Sequence, residues 1–190
     1  MTGPSGRVLV AGVGNIFLGD DGFGVEVARR LAAVPLPGWV RVADYGTSGM
    51  HLAYDMADGY ETTILIDAAP RGGEPGALTV LDVEPGHRGA AGGPAAGPGG
   101  PPPGRPLLDA HGMQPDVVVG VLGMLGVQPG RILVVGCEPA SVDEEIGLSE
   151  PVAAAVDEAV RVVTRLATQP PDRLPPTAPA PAQSFDRSDG

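Results

Sequence analysis

Asp20 and Asp21 stand side by side in the run Gly12-Val-Gly-Asn-Ile-Phe-Leu-Gly-Asp-Asp-Gly-Phe-Gly24. Two adjacent carboxylates can ligate a cation or exchange a proton with a bound reactant, and either task requires them to be held in place. The stretch before them, residues 7–12, reads as a short buried strand, and Phe23, Val27 and Leu31 repeat behind them at helical spacing. The acidic pair therefore falls on a strand-to-helix connection, outside the carboxyl end of a strand, where open α/β sheets place their chemistry. A dinucleotide fingerprint competes for the same glycines. Its third glycine would fall at Phe17, and Asp20 and Asp21 would repel a pyrophosphate from the helix N-terminus. Helix capping accounts for one aspartate but not for two.

Two further groups join them. Asp67 closes the strand-like run Thr62-Thr-Ile-Leu-Ile-Asp67, and His111 stands just before a helical pattern. The ends of parallel strands share one sheet edge, so Asp21, Asp67 and His111 occupy equivalent places. Two oxygens and one imidazole nitrogen suit a divalent ion such as nickel, zinc or manganese. Positions would be left open for water or substrate, which is a catalytic rather than a structural arrangement. The single cysteine, Cys137, allows neither an internal disulfide nor a Cys-rich zinc site. It ends a buried strand, where a small hydrophobe is the simpler reading than a thiol nucleophile paired with His111. His51 in a helix, His87 in a Gly/Pro segment and the run Asp143-Glu144-Glu145 read as solvated.

The elements that must position these groups follow from periodicity. Residues 40–44, 62–67 and 131–137 read as strands, with a helix over 49–58 between the first two of them; strand, helix, strand implies a parallel sheet. A further strand over 77–83 follows its predecessor too closely for a parallel crossover and is expected to run antiparallel. Val117, Val121, Leu122 and Leu125 share a helical face, and so do Val152, Val156, Ala159, Val163 and Leu166. Ser149 is the expected cap of that last helix, with Pro151 in its first turn. Residues 85–106, nearly all Gly, Pro and Ala, are expected to be a mobile loop, and residues 169–190 a disordered Pro/Ala-rich tail. One domain over 1–168 is expected from the 190 residues.

All 12 basic residues are Arg, and the net charge of -11 disfavours nucleic acid or an anionic membrane as partner. The N-terminal residues lack the charged and apolar regions of a signal peptide, and no apolar run has the length of a membrane span, so a soluble cytoplasmic protein is expected.

Five blocks resemble one family, the hydrogenase maturation endopeptidases, which trim the C-terminal extension from the large subunit of [NiFe]-hydrogenases. They are the Gly12 to Gly24 run, Asp44-Tyr-Gly-Thr-Ser-Gly-Met50, Ile66-Asp67-Ala68, Asp109-Ala-His111, and Gly136-Cys-Glu-Pro139 with Glu145-Ile-Gly-Leu-Ser149. The resemblance implies a three-layer α/β/α sandwich with a five-stranded, mostly parallel sheet. It also implies nickel held by Asp21, Asp67 and His111, the nickel being the substrate's own and already inserted into the precursor. Another divalent metal would fit the same donors. Gly46, Thr47 and Ser48 resemble the segment flanking the cleft, whose backbone N–H groups would bind the substrate chain or the tetrahedral intermediate.

Two mechanisms stand open on the sequence. Metal held by the three ligands would activate water and polarise the scissile carbonyl. Alternatively nickel serves only for recognition, and a carboxylate, Asp20 or Asp67, acts as general base. Asp21 stands where other members carry Glu, one methylene longer, and the 85–106 segment is longer than usual for the family. A maturation chaperone that binds the precursor without cutting it, and a small-molecule hydrolase on the same framework, are the alternative functions.

Overall fold

The structure, a computed structural model, describes residues 6–83 and 130–169. The expected 85–106 loop, His87, His111, the helical pattern over 117–125 and the tail beyond residue 169 lie outside the described residues.

Strand β1 (Val8–Val13) leads through a 3-10 turn (Gly19–Gly22) into helix α1 (Phe23–Leu31). Then come β2 (Val40–Gly46), α2 (Gly49–Ala57), β3 (Thr62–Ala68), β4 (Leu78–Val83), β5 (Arg131–Cys137) and α3 (Glu150–Thr168). The five strands form one sheet in the order β2-β1-β3-β5-β4. All pairings are parallel except that of β4 with β5. Strand β4 turns back because only residues 69–77 separate it from β3, too few for a crossover helix. It does not pair with β3, because β5 inserts between them.

Strands buried on both faces become near-continuous apolar runs, and β1 is buried from Leu9 to Val13. Its alternate side chains feed two cores. Val10 joins Ile64, Ile66, Leu133 and Val135 beneath α1 and α3, which contribute Phe23, Val27, Leu31, Val152, Val156 and Val163. Leu9, Ala11 and Val13 face the other way, onto Leu52, Ala53 and Met56 of α2. Helix, sheet and helix make three layers. The α1 layer sits unusually close. A Cβ on Gly24 would lie 2.0 Å from the Ile66 carbonyl oxygen and 2.3 Å from that of Val13, so glycine is required there to let the helix touch the sheet backbone. Gly12, the first glycine of the fingerprint-like run, serves the same approach, since a Cβ there would lie 2.3 Å from the Gly24 carbonyl oxygen.

Among the described residues, no helix is long and apolar enough to cross a membrane.

Candidate active site

The carboxyl ends of β1, β3 and β5 carry the chemistry-bearing groups. Beyond β1 the chain turns at Gly14 (φ +127), where a Cβ would lie 1.8 Å from the Asp21 carbonyl oxygen. Both conformation and space exclude a side chain at that position. The turn closes through Leu18 N donating to Asn15 O and Asp21 N donating to Leu18 O, each at 3.1 Å. Asp21, 8% exposed, then receives the Asn15 backbone N–H on Oδ2 at 2.7 Å. Asp67, 7% exposed, is the penultimate residue of β3, in register with Gly136 of β5. Its Oδ1 receives the N–H of Ala68 at 2.8 Å.

The two acids sense each other. Burial pushes the Asp67 carboxyl well above the usual carboxylate range, the negative charge of Asp21 pushes it further, and the Ala68 N–H opposes both. The structure thus brings together two of the three expected ligands, Asp21 and Asp67. Among the described residues there is no group of three or more metal-ligating side chains; His111, the third expected ligand, lies outside them.

Asp20 is used differently. It is 1% exposed, and both its oxygens are engaged. Oδ2 accepts from Ala140 N (2.7 Å), Ser141 N (3.2 Å) and Ser149 Oγ (2.9 Å), and Oδ1 accepts from Ser149 N (2.7 Å). Asp20 therefore caps neither the 3-10 turn nor α1. Ser149 stands at the N-cap of α3 as expected, yet makes no side-chain cap bond, because its hydroxyl goes to Asp20.

Glu138, which sequence reasoning left as one letter of a motif, is a second buried acid committed to structure. Oε2 receives Arg71 N at 2.7 Å and Oε1 receives Gly72 N at 3.1 Å. These bonds anchor the loop that leaves β3 just after Asp67. An acid directly following the apolar strand Arg131–Cys137 was the one available sign that this side chain must be satisfied from within.

The turn after β2 offers fewer donors than its composition suggests. Gly46 N donates to Asp44 Oδ1 (2.9 Å), Ser48 N to Tyr45 O (2.8 Å) and Gly49 N to Thr47 O (3.2 Å). Thr47 is exposed, and its N–H is the donor of this turn left without a partner among the described residues. The Ser48 hydroxyl pairs with His51 Nδ1 at 3.0 Å on the exposed side of α2. Burial pushes the Cys137 thiol up to about 12, with the charges of Asp20 and Glu138 adding to the effect, so at neutral pH it is not a thiolate nucleophile. A groove of about 310 Å³, lined in part by Ile16, Gly22, Arg29 and Ile146, adjoins the 3-10 turn, and neither Asp21 nor Asp67 lines it.

Comparison with known proteins bears on this arrangement. A family model described as hydrogenase maturation protease matches residues 25–86, a span that includes Asp67 and the 46–48 turn. A putative hydrogenase maturation protease of Methanocaldococcus jannaschii is 31% identical over 162 residues, covering 82% of this chain and 93% of its own length. The chain belongs to the hydrogenase maturation protease family. The hydrogenase 2 maturation protease of Escherichia coli is 31% identical over 163 residues, covering 83% of this chain and 88% of its own. Solved structures agree with the fold. The hydrogenase maturating endopeptidase HybD from Escherichia coli superposes with a TM-score of 0.61 at 30% identity, over 83% of this chain and 89% of that one. A hydrogenase 2 maturation peptidase from a Thaumarchaeota archaeon gives 0.60 at 33% identity, over 84% and 97%.

Proposed function

We propose that this member of the hydrogenase maturation protease family is an endopeptidase that removes the C-terminal extension of a [NiFe]-hydrogenase large-subunit precursor once nickel has been inserted. The observation that carries the reading is the buried pair Asp21 and Asp67, set together at the carboxyl edge of the sheet. Two like-charged carboxylates so placed repel each other, and a cation beside them offsets that repulsion. Their oxygen donors, completed by the His111 imidazole, fit the precursor's nickel, and zinc or manganese would fit the same set. Held there, nickel supplies positive charge that marks the loaded substrate and polarises a neighbouring carbonyl.

The chain's own residues supply the rest. Asp67 is the general base, through the carboxylate oxygen that does not receive the Ala68 N–H. It takes a proton from the attacking water and returns it to the departing amine. Asp20 is unsuited to that task, since both its oxygens already hold donors. The exposed Thr47 N–H is a donor available for the substrate backbone or the developing oxyanion.

Incubation of a nickel-loaded precursor with the wild-type protein should shorten its C-terminus, and His111→Ala should abolish the cut. A precursor left at full length by the wild-type protein would sink the peptidase reading, and one that nonetheless bound would favour a chaperone.

A further inference from the structure

We infer that Asp20 is a positioning residue, whose carboxylate latches the 140–149 loop to the 3-10 turn and so fixes where Asp21 stands. This rests on the peptidase reading for its consequence, though not for the latch itself.

The latch is dense. Besides the four bonds into the Asp20 carboxylate, Gly19 N donates to Glu145 O at 2.7 Å and Asp20 N donates to Ser141 O at 3.1 Å. Leu18 and Glu145 form an isolated parallel bridge. Six hydrogen bonds therefore join the turn at residues 19–20 to the loop at 140–149. Residues 142–147 are all exposed, and the loop's other holds are the Ser141–Asp143 bonds within it and Leu148 against the core. A buried carboxylate that collects three backbone N–H groups and a hydroxyl is a strong, directional clamp, because bonds to an ionised acceptor are roughly twice as strong as neutral ones.

The next residue gains from this. All four residues of the Gly19–Gly22 turn are buried. On one side Asp20 fastens the turn to the 140–149 loop and to the start of α3. On the other, Asn15 N holds the Asp21 carboxylate while Gly14 packs against its carbonyl. Asp21 is thus fixed between two anchors, and releasing one lets the turn drift. A displacement of about 1 Å in a reacting constellation costs about 100-fold in rate.

Asp20→Asn is the direct test, because whichever way the amide is set, its NH2 group faces at least one backbone donor that needs an acceptor. Three readouts belong together. Hydrogen exchange at the Ala140, Ser141 and Ser149 amides should accelerate by about tenfold or more in Asp20→Asn, with the β3 and β5 amides unchanged. Single-turnover processing of nickel-loaded precursor should fall by about 100-fold, while the acid limb of its pH profile keeps its midpoint. Ser149→Ala, which removes one of the four bonds and leaves the backbone donors in place, should slow processing by less than about tenfold and still speed exchange at the Ser149 amide. That milder variant carries the test if Asp20→Asn does not fold. An unchanged exchange rate in either variant, a near-wild-type rate in Asp20→Asn, or loss of the acid limb would overturn the inference, the last by making Asp20 the base. If wild-type protein fails to cut the precursor, the peptidase reading fails, and the exchange measurement still decides the latch.

Discussion

Asp67 is the residue whose environment says most. Burial and the charge of Asp21 both raise its proton affinity, and the sign of the effect on stability follows. The folded chain binds this proton more tightly than the unfolded chain, so stability falls as pH rises from the ordinary carboxylate range, near ~4, through the raised value of Asp67, and levels off above it. Asp67→Asn should remove that decline in urea unfolding measured across a pH series, and should slow processing by about 100-fold or more. A decline that survives the substitution would show that another group causes it. That Asp67 stands at the end of β3 and Asp21 on the connection from β1 to α1 was legible in the sequence. The division of labour between Asp20 and Asp21 was not. Adjacent identical side chains differ only in which long-range partners reach them, and those of Asp20 come from residues 140, 141 and 149, far along the chain.

At the scale of elements, hydrophobic periodicity located each described strand and helix, and the structure shifts their ends by a residue or two. Strand β2 runs on to Gly46 rather than stopping at Asp44, because β1 continues to pair with it past a register shift. The antiparallel sense of β4 was legible from the shortness of the 69–77 connection. Its position beside β5 was not, since strand order depends on packing that no local pattern records. Ser149 has a cap residue's position without a cap residue's bond, for the same reason. The seam between α1 and β3 gives the prediction proper to this scale. Gly24→Ala forces a Cβ against backbone oxygens of Ile66 and Val13, and neither can move without moving a strand. It should cost about 1–3 kcal/mol in urea unfolding and lower processing as well, since Ile66 adjoins Asp67. Wild-type stability in this variant would mean that the helix can slide away freely.

Across the whole molecule, two apolar cores on opposite faces of one sheet hold the carboxyl edge steady while its loops carry the buried acids. Leu31, fully buried where α1 meets the sheet and α3, should cost about 2–5 kcal/mol when replaced by alanine, measured by urea unfolding. A loss under about 1 kcal/mol would show that α1 is not part of the shared core. Among the described residues four acids are buried at or near one edge, Asp20, Asp21, Asp67 and Glu138. Asp20 and Glu138 have both carboxylate oxygens committed to groups of the loops, and Asp21 lies near enough to Asp67 for its charge to raise the proton affinity of the Asp67 carboxyl. On the proposed function, Asp21 and Asp67 serve the cutting of a hydrogenase precursor only after nickel is in it. Intact-mass spectrometry should be run on nickel-loaded and nickel-free precursor, each incubated with wild-type protein and with Asp67→Asn. A shortened C-terminus is expected in one of the four mixtures, wild type with nickel-loaded precursor. Shortening by Asp67→Asn, or equal shortening of the nickel-free precursor, would contradict the proposed function.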